Sequence, residues 1–179
     1  MEKKPVMMIV DDEEMHRAVL AQFFQAEYEL LEATNGRDVM ALLAEKRVDV
    51  ILLDLVMPGM DGFALLAALK RDERLAAIPV IVTTTDSERA AEVRAMEMGA
   101  ADFITKPYHP AIVCCRVKNV MARMENEWRK LEQAARERQI LEMRHHIEID
   151  ALTGIYNREA FYEKTVELLQ QNSGMRYNL

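Results

Sequence analysis

The chain has 179 residues, enough for one full domain together with a fragment or a long helix. Half of its residues are hydrophobic, which allows a sizeable core and excludes disorder throughout. Acidic side chains outnumber basic ones by 30 to 23, and the formal charge of −7 argues against a general binder of nucleic acids or anionic membranes. The only two cysteines, Cys114 and Cys115, are adjacent, so they form no disulfide framework, and we expect a reducing, cytoplasmic setting. The apolar run near the start is too short for a signal peptide or a membrane span.

Short apolar runs alternate with helical patterns over the first part of the chain. Such continuous runs are typical of parallel strands that are covered on both faces. The predicted strands are residues 6–10, 28–31, 50–53, 80–83 and 103–105. Between them apolar residues recur at helical spacing, and Gly99 is suited to end the fourth helix. Because parallel neighbours need crossover helices, we predict an α/β fold with a doubly wound, five-stranded parallel sheet.

The second part of the chain changes character near Pro110. From there to Ile149 no glycine or proline interrupts the sequence, which predicts one long helix. Between Arg123 and Glu148 there are six basic and six acidic side chains, a balance that favours a solvated, salt-bridged helix over a nucleic-acid arm. Residues 150–179 are too few to form an independent core.

Charged and hydroxyl side chains follow the predicted strands. Asp11 and Asp12 follow the first strand and Asp54 follows the third, so their carboxylates are expected to crowd into the crevice at the strand ends. A hard divalent cation relieves such repulsion, and magnesium suits best. Thr84, at the end of the fourth strand, adds a hydroxyl, and Lys106, which follows the fifth strand, adds a positive charge. Each residue alone also fits a helix cap, a turn or a strand end, but together they indicate reversible phosphoryl transfer to Asp54.

Four sequence blocks resemble the receiver domain of two-component response regulators, over residues 5 to about 122. The blocks are Val10-Asp11-Asp12, the run DLVMPGMDG from Asp54 to Gly62, Thr84, and Phe103-Ile104-Thr105-Lys106-Pro107. The resemblance implies that Asp54 receives a phosphoryl group from a sensor histidine kinase or a phosphotransfer protein. It implies a Mg²⁺ ion held by Asp11, Asp12, Asp54 and the backbone carbonyl of Val56. By the same resemblance Lys106 pairs with the phosphoryl group, Thr84 hydrogen-bonds it, and Phe103 is the rotating switch aromatic.

The threonine run departs from the family pattern. The family usually has Ala or Gly after the switch hydroxyl, whereas Thr85 stands here, and its bulk beside the acyl phosphate would alter access of water. With three threonines in a row, Thr83 is the alternative to Thr84 as the switch hydroxyl. For Phe103 the alternative is a plain core aromatic.

Residues 150–161, DALTGIYNREAF, resemble the opening segment of GGDEF domains, the fold of diguanylate cyclases, whose usual form is DxLTGLxNRRxF. Ile155 and Glu159 depart from that form. None of the six glycines is adjacent to another, so the Gly-Gly signature that holds GTP is missing and this chain is predicted not to be an enzyme. Either the sequence is a piece of a longer protein or the natural chain ends here. The resemblance implies that a longer parent carries an active cyclase, or a degenerate GGDEF domain followed by an EAL phosphodiesterase.

Three segments follow from these patterns: a receiver domain over 5–122, a helical coiled-coil linker over 123–149, and the N-terminal fragment of a GGDEF-like domain over 150–179. One apolar column of the long helix, Val117, Met124 and Leu131, ends where Arg138 and His145 fall. Two columns complete a heptad seam with it: Val120, Glu127, Ala134, Leu141 and Glu148, or Met121, Trp128, Ala135, Glu142 and Ile149. Our hypothesis is a parallel homodimer whose two registers are nearly equal in free energy, biased by phosphorylation of the receivers; the alternative is a static spacer.

Two other functions compete with a cyclic-di-GMP output. A DNA-binding response regulator needs clustered positive charge after the receiver, but residues 149–179 carry three basic and four acidic side chains, so we expect no nucleic-acid partner. A stand-alone receiver adaptor would act through protein–protein contacts alone, and the GGDEF-like segment disfavours it.

Overall fold

The structure is a computed structural model that describes residues 4–57, 60–85 and 89–148, together with residues 161, 162, 165, 166 and 168. Its elements in chain order are β1 (Val6–Val10), α1 (Glu14–Phe24), β2 (Glu29–Ala33), α2 (Gly36–Glu45), β3 (Val50–Asp54), β4 (Val56–Met57), β5 (Met60–Asp61), α3 (Gly62–Arg71), β6 (Val80–Thr85), α4 (Arg89–Glu97), β7 (Asp102–Lys106) and α5 (Pro110–Glu148). The chain divides into two compact units, Met1–Glu125 and Asn126–Leu179.

Five parallel strands form one sheet in the order β2-β1-β3-β6-β7, and the predicted fold class is confirmed. Every residue of β1 and β3 is buried, as continuous apolar runs between two helical layers require. The chain passes from β1 outward to β2 and then returns to β3 on the other side of β1. A crevice therefore opens at the carboxyl ends of β1 and β3, where the strand order reverses.

The apolar side chains pack into two clusters, one on each face of the sheet. Residues of α1 and α5, Leu20 and Val117 among them, cover the face that we call the α1/α5 face. Residues of α2, α3 and α4, including Leu66, cover the opposite face, which we call the α2–α4 face. Because side chains alternate along a strand, Asp54 continues the row of Val50 and Leu52 on the α1/α5 face.

Gly99 ends α4, as the sequence predicts. Its φ of 95° is a left-handed conformation that glycine adopts without steric cost. The Gly99 N–H donates to the Met96 carbonyl and the Ala100 N–H donates to the Ala95 carbonyl, each at 3.0 Å, which is the Schellman pattern. The predicted start of this helix near Ser87 lies outside the described residues, and the helix is described from Arg89.

Gly62, in the segment that follows Asp54, is a position where only glycine fits. It is the first residue of α3, and a Cβ added there would lie 2.6 Å from the Leu55 Cα and 2.7 Å from the Asp54 carbonyl oxygen. These neighbours are backbone atoms, so any larger residue would displace the strand end that carries Asp54. The short antiparallel pair β4–β5, in which Val56 lies opposite Asp61, was not predicted; it folds this segment back towards Asp54.

Helix α5 is described from Pro110 to Glu148, and the predicted last residue, Ile149, lies outside the described residues. Val113, Val117 and Val120 of this helix are fully buried in the cluster on the α1/α5 face. Among the described side chains of α5, six large apolar ones are exposed. Ile112 lies near the start of the helix, and the other five lie beyond Val120: Trp128, Leu131, Ile140, Leu141 and Met143. A seam between two copies would therefore begin beyond Val120, because the earlier columns belong to the domain core. In the part of the chain that the structure describes, no helix has the length and apolar character needed to cross a membrane.

Candidate functional site

Two buried carboxylates lie side by side at the switch point of the sheet. Val10 of β1 pairs with Leu53 of β3, so the residues that follow them, Asp11 and Asp54, are neighbours across the sheet. Asp11 is 1% exposed and Asp54 is 4% exposed. Two like charges buried together require compensation by a cation. The sequence predicted this convergence, and the structure brings the two side chains together.

Lys106 supplies that compensation. From the end of edge strand β7 its Nζ donates to Asp54 Oδ2 at 2.7 Å and to Asp11 Oδ2 at 3.1 Å. Burial alone would lower the pKa of Lys106, but the hydrogen bond to Asp54 and the nearby negative charges outweigh it, so its pKa is raised. The ammonium therefore stays charged at neutral pH and serves both carboxylates at once.

The Asp54 carboxylate is held at both oxygens. Oδ1 accepts from the Val56 N–H at 3.2 Å and Oδ2 accepts from Lys106. Burial raises the pKa of Asp54, the contacts with Lys106 and Val56 lower it, the charge of Asp11 raises it again, and the net direction is upward. A carboxylate that is removed from water and more basic than usual, yet fixed in orientation, suits a nucleophile.

Backbone contacts fix the loop after β1. The Asp11 Oδ1 atom accepts from the Glu13 N–H at 2.9 Å. A guanidinium nitrogen of Arg17 donates to the carbonyl oxygens of Asp11 at 2.9 Å and Asp12 at 3.1 Å. Asp12, the next residue along the chain, is half-buried. The donor set fits Mg²⁺, because two buried carboxylates share one ammonium and leave negative charge on hard oxygen atoms next to Asp12.

His16 is a site residue that the sequence analysis missed. It lies in the first turn of α1, and its Nδ1 is 3.1 Å from Lys106 Nζ and 3.3 Å from Asp11 Oδ1. Asp11, His16 and Asp54 each place one possible metal-ligand atom within 4.8 Å of the others. The Lys106 Nζ atom, however, lies within 3.1 Å of an atom of each of these three residues, so the ammonium group occupies the position between them. Its position, one helical turn beyond the Asp11-Asp12 pair, is the feature of the sequence from which His16 could have been predicted as a site residue.

Thr83 and Thr84 are both 1% exposed, but the pleat sends them to opposite faces. Thr84 continues the row of Val82 on the α2–α4 face, and Phe103 is half-buried and packs against the same cluster. Thr83 lies on the α1/α5 face, where its hydroxyl and the buried hydroxyl of Tyr108 have no hydrogen-bond partner among the described residues. Burial raises the pKa of Tyr108 to about 12, although the nearby Thr83 hydroxyl lowers it in part. The two hydroxyl groups are close to each other but do not have the geometry of a hydrogen bond.

Phe103 is also in contact with α5. The guanidinium carbon of Arg116 lies 4.9 Å from the centre of the Phe103 ring, and Arg116 forms a 2.8 Å ion pair with Asp102. The ring is thus held at the sheet edge by a cation–π contact as well as by apolar packing.

The fold and the site define a response regulator receiver domain, with a parallel sheet in the order 2-1-3-6-7 and a buried aspartate pair that shares a lysine. The family described as the response regulator receiver domain matches residues 7–118, and the chain belongs to that family. It therefore carries the receiver domain of a two-component system.

Two curated relatives are transcriptional regulators. The chain is 40% identical over 118 residues to the phosphate regulon transcriptional regulatory protein PhoB of Pseudomonas aeruginosa, a match that covers 65% of this chain and 52% of that protein. It is 35% identical over 146 residues to the transcriptional regulatory protein SrrA of Staphylococcus aureus, covering 80% of this chain and 58% of that protein. The chain thus spans little more than half the length of these curated relatives.

Solved structures share the fold. A putative response regulator from Chloroflexus aurantiacus matches with a TM-score of 0.64 and 27% identity, over 67% of this chain and 99% of that one. The receiver domain of the TMAO respiratory system response regulator TorR matches with a TM-score of 0.62 and 31% identity, over 67% of this chain and 98% of that one.

Proposed function

We propose that Asp54 is the phosphoacceptor of this receiver and takes its phosphoryl group from a sensor histidine kinase or a phosphotransfer protein. The observation that carries the proposal is the buried Asp54 carboxylate, which Lys106 Nζ reaches at 2.7 Å beside Asp11. An Asp54 oxygen attacks the phosphorus of a phosphohistidine, the O–P bond forms, the P–N bond breaks, and the leaving imidazole takes up a proton. Lys106 then pairs with an oxygen of the transferred group instead of the carboxylate.

The other site residues divide the remaining tasks. Asp11, Asp12, Asp54 and the carbonyl of Val56 would hold Mg²⁺, which neutralises charge on the phosphoryl oxygens. Thr84 lies one residue beyond Thr83, the register partner of Asp54, and would donate its hydroxyl hydrogen to a phosphoryl group that extends past the strand ends. Phe103 would be the switch aromatic, whose ring rotates when Thr84 moves, and its packing against the cluster on the same face of the sheet as Thr84 supports this role.

Phosphorylation by a small phosphodonor tests the acceptor. We expect wild-type protein incubated with phosphoramidate and Mg²⁺ to gain one phosphoryl group, which intact-mass spectrometry detects. Asp54→Asn should gain none, because the amide cannot act as the nucleophile. A peptide map after reduction of the acyl phosphate with borohydride should place the modification at residue 54.

Asp61→Asn is the matched control. Asp61 lies in the same segment, and its Oδ1 accepts from the Phe63 N–H at 2.9 Å at the start of α3. Asparagine caps helices as well as aspartate does, so this variant should be phosphorylated like the wild type. Modification of Asp54→Asn, or a wild-type chain that stays unmodified, would contradict the proposal.

For the output we propose that the receiver signals through a dimeric helical linker, residues 123–149, to a cyclic-di-GMP output domain in the longer protein. The support is the unbroken helix α5 and its exposed Trp128, Leu131 and Leu141. The GGDEF-like segment lies outside the described residues, apart from Phe161. A stand-alone adaptor, a degenerate GGDEF domain with an EAL phosphodiesterase, and DNA binding are the alternatives; the last follows from relatives named as transcriptional regulators.

Disulfide cross-linking tests the linker. In a background with Cys114 and Cys115 replaced by serine, Glu127→Cys and Trp128→Cys report on the two predicted seams. We expect both variants to form cross-linked dimers and phosphorylation to change the ratio of their yields, because each register brings a different column to the dimer axis. Equal ratios with and without phosphoramidate would support a static spacer, and the lack of any dimer would contradict the linker proposal.

A further inference from the structure

We propose that His16 is a positioning residue for Lys106: its Nδ1 gives the ammonium a neutral acceptor that remains in place when the two carboxylates turn to other partners. This inference rests on the proposed phosphoacceptor function. It concerns a side chain that none of the receiver sequence blocks contains.

The hydrogen-bond stoichiometry of Lys106 supports this role. An ammonium group has three N–H hydrogens and no acceptor. Its three near neighbours are Asp54 Oδ2 at 2.7 Å, Asp11 Oδ2 at 3.1 Å and His16 Nδ1 at 3.1 Å. Each hydrogen therefore has one acceptor, and His16 provides the only uncharged one of these three.

The surroundings of His16 favour the form that accepts at Nδ1. Lys106 can only donate, so a hydrogen bond between the two needs the lone pair of Nδ1 to face the ammonium. The other ring nitrogen, Nε2, lies 3.8 Å from a carboxylate oxygen of Glu13, and this negative charge favours the hydrogen on Nε2. Both carboxylate oxygens of Asp11 lie 3.3 Å from Nδ1, and in this form of the ring Oδ1 accepts from the Glu13 N–H and Oδ2 accepts from Lys106 instead.

The imidazole is itself held in place. Its side chain is 23% exposed, and its ring meets the ring of Tyr108 edge-on, with centroids 5.9 Å apart and planes at 74°. The Lys106 Nζ lies 6.0 Å from the centre of the Tyr108 ring. His16 and Tyr108 thus flank the end of the lysine side chain from α1 and from the segment after β7.

Phosphoryl transfer gives this third contact its importance. When Asp54 becomes an acyl phosphate and the Asp11 carboxylate would instead bind a divalent cation, Lys106 loses both acceptors seen here and must direct a hydrogen at the phosphoryl group. A neutral acceptor restrains the ammonium during this change without adding negative charge that would repel the incoming phosphoryl oxygens. A correctly oriented lysine lowers the barrier, whereas a mobile one must be ordered at that moment.

Three variants separate a hydrogen-bonding role from a packing role. His16→Leu keeps an apolar group of similar bulk but has no acceptor, whereas His16→Asn has an oxygen close to the place of Nδ1. His109→Leu makes the same change at an exposed histidine after β7. Phosphoramidate serves as the donor at saturating Mg²⁺ and constant pH, so that contacts with a partner kinase do not enter the measurement. The Lys106 ammonium is observed in parallel by ¹H–¹⁵N NMR without any phosphodonor.

We expect His16→Leu to lower the phosphorylation rate constant about tenfold, the value of one hydrogen bond to a charged group. His16→Asn should stay within about twofold of the wild type, as should His109→Leu, and the ammonium resonance of Lys106 should broaden in His16→Leu alone. A wild-type rate in His16→Leu, or an equal loss in His16→Asn, would overturn the positioning role. If wild-type Asp54 takes no phosphoryl group, the proposed function fails, and the NMR comparison alone then decides whether His16 orders Lys106.

Discussion

We expect Lys106→Met to lose about 3 kcal/mol of the free energy of unfolding, because the substitution leaves two buried carboxylates without the cation that they share. The side chain of Lys106 is 13% exposed and those of Asp11 and Asp54 are 1% and 5% exposed, so water replaces little of the lost interaction. Urea unfolding of the wild type and the variant at pH 7.5, first with a chelating agent and then with Mg²⁺, measures the effect. Since a divalent cation can substitute for the lost charge, Mg²⁺ should restore more stability to Lys106→Met than it adds to the wild type.

Lys70→Met is the matched control for this prediction. Lys70 is half-buried, and its Nζ donates to the carbonyl oxygens of Ala76 at 2.9 Å and Ile78 at 2.8 Å. Its removal breaks two hydrogen bonds to neutral groups and leaves no buried charge unpaired. Lys70→Met should therefore cost less than Lys106→Met and respond to Mg²⁺ like the wild type. Equal losses in the two variants would show that the buried carboxylates do not depend on Lys106.

The sheet and its acidic pair could be predicted because strong local signals specify both. Continuous apolar runs such as 6–10 and 50–53 suit only strands that are covered on both faces, and β1 and β3 have this burial. Once the doubly wound strand order places β1 beside β3, Asp11 and Asp54 become neighbours, since each lies at the carboxyl end of its strand. Strand order and parallel direction together therefore bring these two side chains to the same crevice.

The contacts of His16 depend on side-chain direction, which sequence spacing does not supply. A histidine in the first turn of a helix can face solvent or the crevice, and the choice depends on how α1 packs against β1 and on the length of the Lys106 side chain. Helix α5 shows a second limit. Val117 and Val120 have the spacing of a heptad seam, but the same spacing serves a helix that packs on a sheet, and the structure buries them in the domain core.

We expect Asp54→Asn to be more stable than the wild type at pH 7.5 in the presence of a chelating agent, by about 1.5 kcal/mol. Asp11, Asp54 and Lys106 together carry one net negative charge in a buried cluster, and the asparagine removes it while keeping an oxygen that can accept from Lys106. Burial raises the pKa of Asp54 above its usual 3.8, so the folded chain binds a proton at this site at a pH where the unfolded chain has already released it. Acidification therefore stabilises the wild type relative to the variant, and the difference in free energy of unfolding between them should narrow as the pH falls from 7.5 towards the raised pKa of Asp54.

Asp72→Asn provides a control with the opposite sign. Hydrogen bonds from Arg74 lower the pKa of Asp72, so this carboxylate contributes stability above its usual pKa that is lost as the pH falls. At pH 7.5 Asp72→Asn should be less stable than the wild type, whereas Asp54→Asn should be more stable. Two results would show that repulsion between ionised Asp11 and Asp54 does not destabilise the folded chain. One is a shift of stability in the same direction in both variants; the other is an Asp54→Asn difference that stays constant with pH. A gain confined to Asp54→Asn at neutral pH would mean that the fold gives up stability to keep an ionised carboxylate buried, which is the state a phosphoacceptor needs.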